Sequence, residues 1–320
     1  MRVLVYGNAN ADISVKPVTT LNPDIDTTFV ETIGLSNGGN GMTAAMILRR
    51  LGVECSLATY MGDSNDFFSC FLARRLRDEG VDTSLIRWIP GETSGIVIVL
   101  ISEQGKRFFL YKKGVQDKMK LDQDVLDQVE QYDVVSIHGT YLMPQFDGAG
   151  TERLLRTAKE QGKTTLMDVT PDVAGKWMET IKGAIPYCDY FAPSILEARS
   201  LTGKTHVSEM AEVLLHAGAR NVIIKMGDEG AFYTNGQDEG IVPAFEVPVV
   251  DTTGAGDCFC AGMISTLKEE MPLRERVRFA NAAAAVSCTS LGAATGIESM
   301  EQVKKLLKTA SHPVPPGGTA

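Results

Sequence analysis

The chain has 320 residues, of which 44% are hydrophobic and 22% are charged, so its length fits one large α/β domain or two modest ones. The formal net charge of -9 argues against a broad basic surface for nucleic acid, although a few local donors and a metal could still hold a nucleotide. The six cysteines form no CxxC pair and the histidines number four, which disfavours a zinc site and indicates reduced core thiols. The sequence has no signal-peptide apolar region and no apolar run approaching the roughly 20 residues of a membrane helix. We therefore expect a soluble, cytoplasmic protein without nucleic-acid or membrane partners.

The amino-terminal part predicts two strand–helix pairs, the first of which has an extended segment between its strand and its helix. The apolar run at 3–7 is typical of a buried parallel strand, and residues 12–36 show no helical period. A helix is predicted over 41–52, where Gly52 ends it. A second strand and helix follow in the runs CSLATYMG and DFFSCFLARRLRDEG.

The pattern changes at residues 94–114, where two β runs are joined by a turn at Glu103-Gln-Gly105, which is a hairpin signal. Together with residues 13–35, this hairpin predicts a small antiparallel sheet inserted into the βα chain. Such a sheet could serve as a lid over a cleft or as a dimer contact surface.

After residue 120, strands again alternate with helices, which predicts a parallel sheet covered on both faces. The predicted strands are YDVVSIHG, TTLMDV, DYFAP and NVIIKMG, and the predicted helices lie near 148–161, 194–202 and 207–217. A β hairpin ending in the run AFEVPVV then leads to residue 251, and further helices are predicted over 274–291 and 299–309. The Pro- and Gly-rich tail, 311–320, predicts disorder.

The stretch DTTGAGDCF, residues 251–259, places two glycines between a predicted strand and a predicted helix. Glycines at a helix start leave N–H groups free and let a ligand approach, so this loop can form an anion site; a tight strand-to-helix turn is the plain alternative. Asp257 would repel a bound phosphate, a cost that is explained if it takes a proton from an attacking hydroxyl. The sequence lacks a Walker A loop and a GxGxxG fingerprint, which weakens nucleotide-dependent hydride transfer as a function.

Two separated motifs resemble signatures of the ribokinase-like (phosphofructokinase B) carbohydrate kinases. DTTGAGDCF followed by AG is similar to their C-terminal signature, and SNGGNGMTAAMILRRLG is similar to their N-terminal one. The similarity extends over residues 3–309. It implies a three-layer α/β/α fold with a mostly parallel central sheet and a small β-sheet lid. The implied boundaries are a core of 1–12, 36–93 and 114–310 and a lid of 13–35 and 94–113.

The resemblance also implies roles at the catalytic and sugar sites. Asp257 would be the base on the sugar hydroxyl, beside an anion hole made by three residues: Gly254, Ala255 and Gly256. Five residues are implied at the sugar: Asp12, Gly38, Gly39, Asn40 and Thr43. The family usually has an asparagine at the Thr43 position, so one sugar contact differs in this chain.

The nucleotide and metal sites follow from the same resemblance. Five positions match the nucleotide site: Ser194, Lys225, Gly227, Thr253 and Asn281. Glu197 matches a position that supports Mg²⁺, and Asp251 and Thr253 match positions that hold a monovalent cation in some members. The implied cofactors are therefore ATP and Mg²⁺, with K⁺ as a further candidate. Ser194 replaces a usual asparagine, and its hydroxyl could bond a phosphate or could only cap the helix at 194–202.

The substrate is predicted only as a class. A monosaccharide or sugar acid, such as 2-keto-3-deoxygluconate, fructose or ribose, is preferred. A nucleoside ranks next, because the lid lacks an obvious aromatic clamp for a base. A catalytically weak ligand-sensing protein on the same scaffold is the alternative of a different class. Exposed hairpin edges predict a homodimer through the lid sheet, and the resemblance to the family implies the same.

Overall fold

A computed structural model describes residues 1–18, 24, 26–104, 107–293 and 295–309 of the chain. The predicted tail at 311–320 and Gly105 of the predicted turn lie outside these described residues. Strands and helices are numbered below in chain order.

A large, mostly parallel sheet forms the centre of the fold. Its strands are β1 Arg2–Gly7, β4 Glu54–Met61, β5 Ile86–Trp88, β8 Val134–Thr140, β9 Thr164–Val169, β10 Tyr190–Phe191, β11 Asn221–Lys225, β12 Ala231–Thr234 and β13 Glu239–Val242. Their spatial order is β13-β12-β11-β10-β9-β8-β1-β4-β5. Pairing is parallel from β11 through β5, and the edge strands β12 and β13 are antiparallel.

Helices cover this sheet on both faces. They are α1 Asn40–Arg50, α2 Phe67–Asp78, α3 Gln123–Asp127, α4 Ala149–Glu160, α5 Met178–Ile181, α6 Ile195–Thr202, α7 Val207–His216, α8 Ala255–Ser265, α9 Leu273–Ser287 and α10 Met300–Thr309. Alternate residues of β1 enter different cores: Val3 and Val5 pack with α1, α8 and α9, whereas Leu4 and Tyr6 pack with α4 and α7. Both faces of the strand are therefore apolar, which explains its continuous hydrophobic run. The predicted three-layer α/β/α fold is confirmed.

A separate four-stranded sheet, called the small sheet here, consists of β2 Asn10–Lys16, β3 Thr32–Gly38, β6 Gly95–Ile101 and β7 Arg107–Lys112. Its order is β3-β2-β6-β7. The prediction that it is antiparallel is wrong at its centre, because β2 pairs with β6 in parallel while the outer pairs are antiparallel. The two hairpins come from distant parts of the chain, so no turn constrains the direction in which they meet.

The run AFEVPVV, residues 244–250, was predicted as a strand, and this prediction is wrong. The chain has no regular structure from 243 to 250, after β13 ends at Val242. Pro243 and Pro248 lack the N–H group that a ladder needs, so the segment cannot pair along its length. It instead forms one wall of a cavity that is described below.

The carboxyl ends of the parallel strands and the first turns of α1 and α8 meet at one edge of the large sheet. The backbones of Gly7 and Gly41 approach so closely that a β-carbon on Gly41 would lie 2.6 Å from the Gly7 carbonyl carbon. Glycine at both positions lets α1 begin directly over the end of β1. In the part of the chain that the structure describes, no helix is both long and apolar enough to cross a bilayer.

Candidate active site

The glycine-rich loop forms the start of helix α8. Gly254 is its N-cap with φ 74, a conformation that favours glycine, and a β-carbon there would lie 2.5 Å from the Ala293 carbonyl oxygen. The Ala255 N–H donates to the Thr252 carbonyl at 3.2 Å, whereas the amides of Gly256 and Asp257 donate to no described backbone acceptor. The helix start therefore offers two free donors and the positive end of its dipole to an anion.

Asp257 lies in the first turn of α8 and is almost completely buried, with 6% of its surface exposed. Asn40 Nδ2 donates to its Oδ1 at 3.0 Å. Burial, and then the nearby Asp168 carboxylate, raise the pKa of Asp257 to about 8, although the Asn40 hydrogen bond and Lys225 act in the opposite direction. A carboxyl group with such a pKa can accept a proton close to neutral pH, as a general base must.

A buried ion pair stands beside this carboxyl group. Lys225 Nζ donates to Asp168 Oδ1 at 2.7 Å, and both side chains are largely shielded from solvent. Burial disfavours the charged form of Lys225, but Asp168, Cys260 and Glu197 outweigh it and raise the pKa of Lys225 above its usual value. The Lys225 ammonium is close enough to α8 that a β-carbon on Gly256 would lie 3.2 Å from Nζ. The site thus combines a fixed cation with the free amides.

Ser194 and Glu197 form a capping box at the start of α6. The Ser194 N–H donates to Glu197 Oε2 at 2.6 Å, and the Glu197 N–H donates to Ser194 Oγ at 3.4 Å. Burial raises the pKa of Glu197, with Lys225 acting against this and Asp168 adding to it. Ser194 therefore caps α6, as one of the two interpretations predicted, and Glu197 also lines the cavity described next.

A cavity of about 740 Å³ opens beside these residues, a volume in the range of small-molecule sites. Its wall includes the predicted sugar residue Asn40, the predicted metal residue Glu197 and most of the predicted nucleotide and catalytic residues: Ser194, Lys225, Gly227, Gly254, Ala255, Gly256, Asp257 and Asn281. Asn281 holds the 242–243 segment of this wall, because its Nδ2 donates to the carbonyls of Val242 at 2.8 Å and Pro243 at 3.1 Å. Phe245, Val247 and Ala284 supply apolar surface.

Of the five predicted sugar residues, Asn40 lines this cavity and the other four do not, but hydrogen bonds connect Asp12 to it. Asn10 Nδ2 donates to Asp12 Oδ1 at 2.6 Å, and Asn8 Nδ2 donates to Asn10 Oδ1 at 3.3 Å. The Asn40 N–H donates to Asn8 Oδ1 at 3.1 Å, and the Asn40 side chain then reaches Asp257. A continuous polar chain therefore joins the small sheet to the carboxyl group at α8.

The glycines at the end of β3 make room for this chain. A β-carbon on Gly38 would overlap the Asp12 carboxyl group, and one on Gly39, which has φ +89, would lie 2.7 Å from the Ala9 α-carbon. Burial raises the pKa of Asp12 to about 7, against the effect of the Asn10 hydrogen bond. Thr43 lies in α1 and is buried, and its hydroxyl contacts no described hydrogen-bond partner.

Asp251 and Thr253, the predicted cation residues, contact an arginine instead. Arg107 Nη1 contacts Asp251 Oδ1 and Thr253 Oγ1, and Nη2 donates to Thr252 Oγ1 at 3.0 Å. Burial opposes ionisation of Asp251, but hydrogen bonds from Thr253 and Gly292 together with Arg107 hold the pKa of that carboxyl below its usual range. Because the guanidinium group occupies Asp251 Oδ1 and Thr253 Oγ1, this arrangement does not fit a monovalent cation.

Several residues of the site were not identified from the sequence. His138 and Asp168 lie near the carboxyl ends of the neighbouring parallel strands β8 and β9, and one ligand atom of each lies within 4.8 Å of one from Asp257. Burial lowers the pKa of His138 to about 4, so its ring is neutral at physiological pH. Neither ring nitrogen has a described partner. The sequence could have indicated His138 and Asp168 as site residues, because both lie near the carboxyl ends of predicted parallel strands, where ligands bind in such sheets.

The fold and this site define a small-molecule kinase of the ribokinase type. The sequence matches the pfkB family carbohydrate kinase over residues 1–300, so the chain belongs to that family and is a carbohydrate kinase. It is 27% identical to a ribokinase of Schizosaccharomyces pombe, with 95% of this chain and 96% of that protein covered. It is 28% identical to an aminoimidazole riboside kinase of Salmonella typhimurium, covering 97% and 96%. The structure of Arabidopsis thaliana ribokinase complexed with ribose and ATP superposes with a TM-score of 0.83 at 24% identity, covering 96% of this chain and 98% of that one.

Proposed function

We propose that this protein transfers the γ-phosphoryl group of ATP to a hydroxyl group of a small sugar or sugar acid, with Asp257 as the base. The observation that carries the proposal is the placement of a buried carboxyl group with a raised pKa beside two free amides and Lys225 at the start of α8. Phosphoryl transfer needs mainly positioning and charge stabilisation, which these groups supply.

In the proposed reaction, the acceptor oxygen forms a bond to the γ-phosphorus of ATP while the bond from that phosphorus to the β-bridging oxygen breaks. The hydroxyl proton moves to the Asp257 carboxylate, and ADP departs with the bonding electron pair. The Gly256 and Asp257 amides, next to Gly254 and Ala255, bind the oxygens of the transferring group. Lys225 adds a fixed positive charge that its ion pair with Asp168 holds in place.

The cavity of about 740 Å³ is proposed as the nucleotide site. Gly227 and Asn281 would border the nucleoside part, and Ser194 would lie near the phosphates. The carboxylates of Glu197 and Asp168 provide the oxygen ligands that Mg²⁺ prefers, so we propose that they support this ion directly or through water. Bound Mg²⁺ would neutralise phosphate charge.

The acceptor is proposed to lie between the small sheet and α1, where Asp12, Gly38, Gly39, Asn40 and Thr43 converge. The polar chain from Asp12 to Asp257 supports this placement, because it connects a carboxyl group suited to binding hydroxyls with the base. The small sheet would act as the lid that excludes water from the γ-phosphate. We place the reaction in the cytoplasm, where the six free cysteines would stay reduced.

A nucleoside is the second candidate acceptor, because the riboside kinase relative is as similar to this chain as the ribokinase. A coupled ADP-release assay with ATP and Mg²⁺ over pentoses, hexoses, 2-keto-3-deoxy acids and nucleosides separates these classes. Asp257→Asn should lower kcat by about 10²–10⁴-fold while ATP binding, measured by calorimetry, persists. Turnover close to wild type in that variant would rule out Asp257 as the base. ADP release with none of the acceptors would favour the ligand-sensing alternative.

A further inference from the structure

A single arginine connects the small sheet to the loop before α8. Arg107 is the first residue of β7, and its guanidinium contacts three consecutive side chains of that loop, those of Asp251, Thr252 and Thr253. The Arg107 side chain is 26% exposed and that of Asp251 is 8% exposed, so this ion pair is well shielded from water. A guanidinium in shielded, charge-assisted contacts fixes the positions of the groups that it contacts better than the flexible ammonium of a surface lysine would.

Asp251 is the centre of this connection. Its Oδ1 also accepts from the Thr253 N–H at 2.9 Å and from Thr253 Oγ1 at 2.7 Å, and its Oδ2 accepts from the Gly292 N–H at 2.8 Å. The carboxylate therefore ties the loop before α8 to the segment after α9. Among the described residues, Arg107 is the cation paired with it.

We propose that Arg107 is a positioning residue that takes the place of a bound monovalent cation beside the anion-binding loop, so that turnover requires no K⁺. The inference rests on the proposed kinase function. The guanidinium and a K⁺ ion carry the same charge, and the guanidinium already contacts a side-chain oxygen of each predicted cation residue, Asp251 Oδ1 and Thr253 Oγ1. A cation at the same position would be repelled by the guanidinium, so both cannot be bound together.

Because the arginine belongs to the small sheet, it also makes the loop sensitive to the position of that sheet. The Thr252 carbonyl accepts from the Ala255 N–H, and Gly254 follows in its left-handed conformation, so the loop fixes the direction of the free amides. Without the guanidinium, the Asp251 carboxylate would be an uncompensated negative charge near the transferring phosphoryl group. The anion site is thus complete when the small sheet lies over it.

The experiment compares wild type, Arg107→Ala, Arg107→Lys and the control Lys112→Ala in tetramethylammonium, sodium and potassium chloride at equal ionic strength. Lys112 lies on the same strand, but its Nζ donates to Thr93 Oγ1 at 2.8 Å, away from the loop. We expect wild-type and Lys112→Ala kcat values to agree within about twofold in all three salts. Arg107→Ala should lose about 10–100-fold in kcat with little change in KM for ATP, because it loses a shielded charged contact. Potassium or guanidinium chloride should restore part of that loss, and Arg107→Lys should retain more activity than Arg107→Ala.

Thermal unfolding in the same salts provides a readout that does not need an acceptor. Potassium should raise the Tm of Arg107→Ala relative to tetramethylammonium and leave the Tm of wild type unchanged. The inference is overturned if wild type needs K⁺ for activity or gains Tm from it, or if Arg107→Ala keeps its kcat. If wild type releases ADP with none of the acceptors, the kinase proposal fails, and the Tm comparison still decides whether Arg107 occupies a cation position.

Discussion

At the scale of single residues, the unusual feature is a catalytic candidate whose carboxyl group the fold prefers in its protonated form. Burial and Asp168 shift Asp257 in that direction, while Asn40 and Lys225 limit the shift. A base must nevertheless be ionised to accept a proton. Activity and stability should therefore depend on pH in opposite senses.

The activity prediction concerns the acid limb of the pH profile. Because the pKa of Asp257 is raised to about 8, kcat/KM should rise with pH, roughly tenfold per unit from pH 6 to 7, and level off above about 8. Steady-state rates in a constant-ionic-strength buffer series measure this. A profile that is flat from pH 6 to 9 would mean that Asp257 is already ionised in the free enzyme.

The stability prediction uses Asp257→Asn, which removes the ionisation while keeping the shape. The pKa of Asp257 in the folded protein lies above its usual value of 3.8. The contribution of this carboxyl group to the free energy of unfolding is therefore fully present below about pH 4 and is lost as pH rises through about 8. At pH 8.5 the variant should be more stable by about 1–3 kcal/mol, with a smaller difference at pH 5. Urea unfolding at both pH values tests this, with the exposed Asp124→Asn as control. If Asp257→Asn is less stable than wild type at pH 8.5, burial does not destabilise the ionised form of Asp257 as we infer.

The residues that sequence reasoning overlooked are those whose role depends on spatial neighbours. Asn8 and Asn10 precede the predicted sugar residue Asp12, yet their amides matter only because β2 turns away from β1 and α1 returns over it. Asp168 and His138 lie thirty residues apart in sequence and become neighbours through the β8–β9 pairing. Motif spacing within one segment cannot register such contacts, whereas it did identify the loop before α8.

At the scale of elements, strand β3 ends in glycines because the Asp12 carboxyl group occupies the space of a side chain there. We expect Gly38→Ala to displace that carboxyl group and to raise KM for the acceptor by about tenfold or more, with ATP affinity unchanged. The control is Gly34→Ala on the same strand, whose β-carbon would meet only the Ser14 hydroxyl. Steady-state kinetics and calorimetry with ATP measure both variants. Equal acceptor KM values in the two would show that Asp12 does not bind the acceptor.

The elements that sequence patterns predicted well are the long periodic ones. The helix predicted over 148–161 is observed as Ala149–Glu160, and the one over 299–309 as Met300–Thr309. The strand prediction for 244–250 is wrong because the apolar residues of this segment line a cavity instead of pairing with a strand. Local composition does not distinguish these two environments. The parallel pairing of β2 with β6 could not be inferred either, since it joins segments about eighty residues apart.

At the scale of the whole molecule, the small sheet exposes apolar side chains that a monomer would leave in water. Ile33 on β3 and Phe108 on β7 are 68% and 60% exposed, and the strand register places both on the same face of the sheet. Exposed apolar groups clustered on one sheet are typical of an interaction surface. The predicted homodimer through this sheet would cover them and would bring two copies of the lid into contact.

The dimer prediction can be tested without knowledge of the acceptor. Phe108→Asp places a charge among the exposed apolar residues of β7, so it should shift the protein toward the monomer if the small sheets pair, with at least a tenfold weaker dimer. Sedimentation velocity over a micromolar concentration series measures this, and Ile241→Asp, at a 53% exposed site on β13 of the large sheet, is the matched control. If the wild-type protein sediments as a monomer at every concentration, the dimer prediction is wrong. If Ile241→Asp weakens the dimer as much as Phe108→Asp does, the dimer contact does not lie on the small sheet. Because Phe108 follows Arg107 on the same strand, a monomeric variant that also loses kcat would indicate that pairing of the sheets helps to hold the loop before α8.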